Sequence, residues 1–122
     1  MDCLFCKISN HEISSKILYE DDTVIAFLDI HPTCNGHTLI IPKKHMEDFT
    51  ELDSSTLYHM KEVAQMLTDK IMTAQNNKGM TFQMNYKEAQ EIKHVHLHLL
   101  PDLRYKKKIL PLEETYENIK KF

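Results

Sequence analysis

Glycine is nearly absent from this 122-residue chain, which carries only Gly36 and Gly79. The Walker phosphate loop and the dinucleotide-binding fingerprint both need several glycines so that backbone amides can approach phosphate oxygens. Neither pattern is present. A bound phosphate would therefore be met by side chains, a few loop amides or a helix N-terminus. Tryptophan is missing, and no stretch approaches the ~20 apolar residues of a helical membrane span. Excess positive charge is missing too: 15 Lys and Arg against 18 Asp and Glu give a net charge of -3. That excludes a general basic field for nucleic acid, so nucleotide chemistry would have to reside in a local site. The opening Met1–Lys7 has an acidic residue and no long apolar region, which does not fit a signal peptide. A cytoplasmic location is expected, with Cys3, Cys6 and Cys34 as reduced thiols or metal ligands rather than a disulfide framework.

Histidine, by contrast, is plentiful, with eight residues at 11, 31, 37, 45, 59, 94, 96 and 98. The chain shows no repeat, low-complexity tract or linker and reads as one domain over 1–122. Strands are expected at 16–20, 23–29, 38–41 (stopped by Pro42), 80–85 and 95–100 (ended by Pro101). Leu57, Met60, Ala64, Leu67, Ile71 and Ala74 recur every three or four residues, which predicts an amphipathic helix over about 54–76, capped by Asp53 or Ser54. A short helix is expected at 113–121. The order β-β-β-α-β-β predicts an α+β domain with a mostly antiparallel sheet.

The informative segment is His94-Val95-His96-Leu97-His98-Leu99-Leu100. On a strand, alternate residues share a face, so three imidazoles border one side while Val95, Leu97 and Leu99 pack on the other. Such a row suits metal binding or nucleophilic attack on phosphorus by a neutral imidazole. Neighbours two apart lie about 6.6–7 Å from each other, so three histidines of an unbroken strand cannot all ligate one ion. Cys3-Leu4-Phe5-Cys6 supplies half of a tetrahedral zinc site, and His45 with one outer member of the row is the best candidate for the other half.

The row matches the histidine-triad (HIT) motif, His-φ-His-φ-His-φ-φ with φ apolar, without a gap. The resemblance extends to Leu4-Phe5-Cys6-Lys7-Ile8, to Val24–Ile30, to Gly36–His45 and to Gln90, four residues before His94, and covers roughly residues 3–104. It implies a HIT-like fold, a five-stranded sheet with one long helix and short helices. It also implies a nucleotide hydrolase or transferase acting at the α-phosphorus of a purine nucleotide. By resemblance His96 is the nucleophile that becomes nucleotidylated, and His98 contacts the phosphoryl oxygens and aids the leaving group. Asp29 is similar to the carboxylate that holds the ribose hydroxyls. Leu4, Phe5, Ile8, Phe27, Ile30 and Leu39 match the base pocket, and Asn85 and Gln90 the phosphate loop. The zinc-containing branch of the family implies a structural Zn2+ held by Cys3, Cys6, His45 and His94. The family also implies a homodimer formed through its helix and a strand edge.

Other residues read more plainly. His11 and His59 are expected to be solvated, Lys106–Lys108 to be a solvated run, and the helix methionines to be core. His37 either orders the triad from a neighbouring strand or is a buried, satisfied histidine. The sequence departs from the family in the loop before the triad, where Asn85-Tyr86-Lys87-Glu88-Ala89-Gln90 has no glycine and one residue fewer. Pro101-Asp102-Leu103-Arg104 replaces a Pro-Arg step. Lys87, Lys93 and Arg104 are candidates to replace a lost amide donor. Phosphoramidate, dinucleoside polyphosphate and nucleotidyl sulfate substrates all remain open, as does a nucleotide-binding regulatory module with little turnover.

Overall fold

The computed structural model describes residues 3–122. Its elements in chain order are α1 (Leu4–Ser9), β1 (Ile17–Glu20), β2 (Val24–Leu28), β3 (Thr38–Pro42), α2 (Ser54–Gln75), β4 (Met80–Gln83), β5 (Leu97–Pro101) and α3 (Leu112–Lys120). The strands form one antiparallel sheet in the order β1-β2-β3-β5-β4. The expected α+β architecture is present. No helix among the described residues is long and apolar enough to cross a membrane.

Every residue of β2 and β3 is buried, because the central strands are covered on both faces. Val24, Ala26, Leu28, Ile40 and Leu99 pack against Met60, Val63, Ala64, Leu67 and Ile71 of α2 and Ile119 of α3. Ile25, Phe27, Leu39 and Ile41 point the other way, onto Cys3, Phe5 and Ile8 around α1. Period-2 alternation thus divides two continuous apolar runs between two cores. The register sets the histidines: His98 pairs with Leu39 and so stands on the α1 face, while Leu97 pairs with Ile40 on the α2 face.

The long helix begins at Asp53, whose carboxylate accepts from the Thr56 amide at 3.0 Å and the Thr56 hydroxyl at 2.8 Å. It ends at Asn76 in the left-handed region (φ 54°), a conformation asparagine tolerates. The element α1 was not expected as a helix; six residues are too few to show a period. Cys3 caps it, its Sγ accepting from the Cys6 amide at 3.4 Å.

Three boundaries move for physical reasons. Pro42 does not stop β3 but closes it opposite Val24, beyond the Thr38–Ile40 stretch that pairs with β5, so its missing N–H costs no ladder bond there. β4 ends at Gln83, where the loop carrying left-handed Lys87 (φ 55°) begins. β5 starts at Leu97, not Val95, because the Val95 amide donates to Met46 at 2.8 Å rather than to β3.

Asp102 explains the altered segment after the triad. Its backbone is left-handed (φ 49°), and its carboxylate accepts from the amides of Lys78 (2.8 Å) and Gly79 (2.9 Å), from Asn77 (3.1 Å) and from Lys107 (2.6 Å). Burial alone would raise its pKa, but the Lys107 ammonium and the other donors hold it well below the usual carboxylate range. His11 and His59 are not simply solvated. His11 Nε2 lies 2.7 Å from Glu20, and His59 Nε2 lies 2.5 Å from Asp21, joining α2 to the β1–β2 turn.

Candidate active site

On the α1 face a cavity of about 540 Å³ brings together His96, His98, Leu4, Phe5, Ile8, Phe27, Asp29, Ile30, Leu39 and Asn85. Of the residues expected around a nucleotide, only Gln90 is absent from its walls. Gln90 is buried, and its carboxamide donates to the Glu47 carbonyl at 2.8 Å, tying the loop down instead of facing the cavity. Leu4 and Ile30 sit exposed at the rim, while Phe5, Phe27 and Leu39 form the buried floor, with Phe5 edge-on to Phe27 at 5.7 Å. Asp29 stands at the C-terminal end of β2, its Oδ1 accepting from the His31 amide at 2.9 Å.

Hydrogen bonds fix the tautomer of each ring in the row. His96 Nδ1 donates to the His94 carbonyl at 2.7 Å, which leaves its Nε2 as a bare lone pair. The Thr33 amide donates to His37 Nδ1 at 3.1 Å, so His37 carries its proton on Nε2 and donates to His98 Nδ1 at 2.9 Å. His98 therefore holds its proton on Nε2, a buried atom with no hydrogen-bond partner among the described residues. A bare acceptor and a free donor stand side by side, ring centres 4.8 Å apart. Burial lowers the pKa of His96; burial, reinforced by His96 and His37, pushes that of His98 down to about 4. Both shifts favour the neutral imidazole that nucleophilic attack requires.

His37 is both buried and the support of the triad; the two readings of it from sequence describe one residue. Its burial lowers its pKa, opposed by Asp29 at 3.6 Å. Three backbone groups, the Thr33 amide and the Pro42 and His94 carbonyls, complete the network. No side-chain pattern announces them.

The first histidine of the row leaves the cavity. His94 is fully buried, and its Nε2 donates to the Pro42 carbonyl at 2.8 Å, turning Nδ1 toward Cys3 Sγ (3.3 Å) and Cys6 Sγ (3.5 Å). His45 Nδ1 lies 3.3 Å from Cys6 Sγ. These four ligand atoms all lie within 4.8 Å of one another, so the cluster can hold a metal ion. A zinc ion with bonds of about 2.3 Å to sulfur and 2.0–2.1 Å to nitrogen spaces tetrahedral ligand atoms roughly 3.3–3.8 Å apart. The donor set therefore fits, and the Pro42 carbonyl fixes the His94 tautomer in the way an outer hydrogen bond orients a metal-bound imidazole. Burial and the adjacent Cys3 thiol push the Cys6 thiol up to about 11, so metal binding would have to displace protons from this pair. A bound zinc would supply charge to hold the two thiolates together, a structural role in a site that offers four protein ligands.

The three cations expected to support the phosphate loop do not line the cavity. The Lys93 ammonium donates to the Lys87 carbonyl at 2.5 Å, and the Lys87 ammonium lies over the Tyr86 ring at 5.1 Å. Arg104 is also absent from the walls.

The HIT-domain family model matches residues 10–104. An uncharacterized HIT-like protein of Methanocaldococcus jannaschii is 42% identical over 106 residues, covering 81% of this chain and 78% of its own. The adenosine 5'-monophosphoramidase HNT1 of Saccharomyces cerevisiae is 38% identical over 117 residues, covering 93% and 72%. The crystal structure of a zinc-bound histidine triad family protein from Mycobacterium smegmatis superposes with a TM-score of 0.89 at 30% identity, covering 99% of this chain and 92% of the other. With the motif, the fold and these relatives in agreement, the chain belongs to the HIT-domain family.

Proposed function

We propose that this protein is a nucleotide hydrolase or transferase that works through a covalent nucleotidyl-His96 intermediate at the α-phosphorus of a purine nucleotide derivative. The observation that carries this reading is the tautomer chain: His96 Nε2 free to attack, His98 Nε2–H free to donate. His96 Nε2 forms a bond to phosphorus as the bond to the leaving group breaks. His98 donates a hydrogen bond to the atom on which negative charge develops. Water then hydrolyses the His96–phosphorus bond, or an acceptor takes the nucleotide, and the imidazole is restored. The base lies against Phe5, Phe27 and Leu39, the ribose hydroxyls donate to Asp29, and Asn85 borders the phosphate. Zn2+ on Cys3, Cys6, His45 and His94 is the structural cofactor in this proposal. A similar protein carrying the name adenosine 5'-monophosphoramidase supports the choice of a phosphoramidate as first substrate. The experiment is a single-turnover assay with a fluorogenic adenosine phosphoramidate. Release of one equivalent of fluorophore with formation of an AMP adduct on His96, seen by mass spectrometry, is expected. Binding without release would leave only a nucleotide-binding module.

The same reading puts the protein in the cytoplasm, where its three cysteines, none of them in a disulfide, would stay reduced. It also makes the protein a homodimer. β4 is a sheet edge with Phe82 exposed, and α2 exposes Leu57, Tyr58 and Met66, surfaces that a two-fold partner would cover. Light scattering at micromolar concentration is expected to give twice the chain mass of 14.4 kDa. A monomer would overturn the dimer.

A further inference from the structure

The walls of the active-site cavity include two carboxylates, Asp29 and Glu91, and no lysine or arginine. Asp29 is accounted for at the ribose end, held by the His31 amide. Glu91 is exposed, makes no ion pair or hydrogen bond among the described residues, and lies near enough for its charge to act on His96. The two lysines of the same loop are engaged elsewhere, Lys93 on the Lys87 carbonyl and Lys87 over the Tyr86 ring. Glu91 thus brings an uncompensated negative charge to the wall of the cavity that holds His96 and His98.

A polyphosphate or sulfate leaving group brings further negative charge to this place. Sites that accept such groups surround them with cations, because like charges in a partly enclosed cleft repel strongly. An amine leaving group brings no added negative charge, and one that carries an ammonium elsewhere gains a partner. We propose that Glu91 is a specificity-determining residue that selects nucleotidyl amines over polyphosphate and sulfate leaving groups. This rests on the nucleotidyl-transfer reading above. It adds the residue that narrows the substrate class, which the histidines alone leave open.

The test uses the full chain and two variants, Glu91→Gln and Glu91→Lys. Values of kcat/KM are compared for adenosine phosphoramidate joined to the lysine side-chain amine and for diadenosine tetraphosphate. The expected result is a preference for the lysine adduct in the parent, a ratio lowered at least tenfold by Glu91→Lys, and a smaller drop with Glu91→Gln. Equilibrium binding of AMP, ADP and ATP provides a second readout. ATP should gain affinity relative to AMP in Glu91→Lys, an effect that simple loosening of the loop would not produce. An unchanged kcat/KM ratio in variants that do turn over sinks the role of Glu91. If no form turns over but the AMP-to-ATP binding order shifts, the proposed reaction fails and charge selection by Glu91 survives. An unshifted binding order without turnover removes both.

Discussion

His96→Ala is expected to lower kcat by about a thousandfold or more while changing nucleotide affinity only a few-fold. The two effects separate because, in the proposed mechanism, the ring supplies the attacking lone pair, whereas Phe5, Phe27, Ile8 and Leu39 give the cavity its apolar walls. Phe5 does meet the His96 ring edge-on at 5.0 Å, so alanine leaves a gap beside it and a modest weakening of base binding is expected. His98 keeps its donor in this variant, since its proton is placed by His37 and Thr33 rather than by His96. The check is steady-state kinetics with the fluorogenic phosphoramidate, together with AMP titration by calorimetry. Activity above a few per cent of the parent would mean that another group attacks phosphorus.

Metal removal is expected to have the second largest effect, and on a different quantity. Purified protein should contain about one zinc per chain, and Cys3→Ser or Cys6→Ser should lower unfolding stability by at least about 3 kcal/mol. The loss is expected to fall first on α1, because Cys3 and Cys6 bracket Leu4 and Phe5, which line the cavity. A six-residue helix is far too short to persist without tertiary support. Chelation should therefore raise KM for the nucleotide more than it lowers kcat, since His96 and His98 are held by bonds to the His94 carbonyl and His37. Thermal melts, metal analysis and the split between KM and kcat check this. Protein without zinc, or chelated protein that stays fully folded with intact affinity and no turnover, would refute a structural metal.

The fold class, the long helix and the parting of His94 from His96 and His98 were legible in the sequence, for different reasons. The helix showed itself through a sustained period, and the sheet through short apolar runs between turn residues. The histidines had a family motif behind them; strand spacing pointed to the same division although β5 begins only at Leu97, so that His94 and His96 precede it. What could not be read was carried by backbone atoms or by pairings remote in the chain. Thr33, Pro42 and His94 act through an amide or carbonyl, which every residue type possesses. Gln90 matched its motif position, yet it bonds Glu47, 43 residues away. The expected cationic help from Lys87 and Lys93 failed because both side chains turn onto the loop itself, Lys93 on the Lys87 carbonyl and Lys87 over the Tyr86 ring.

The double burial of β2 and β3 sets two time scales within one small molecule. Amides in these strands can exchange with solvent only when both cores open, an event close to complete unfolding. α1 has a single layer of contacts, so without a metal on Cys3 and Cys6 it is the element expected to open first. His98 is paired to β3 and so belongs to the slow part, while the wall over the base belongs to the fast part. For the reaction proposed above, the ring orientations of His37 and His98 are thus held by the slow part, and the apolar wall of the cavity by the part that loosens first.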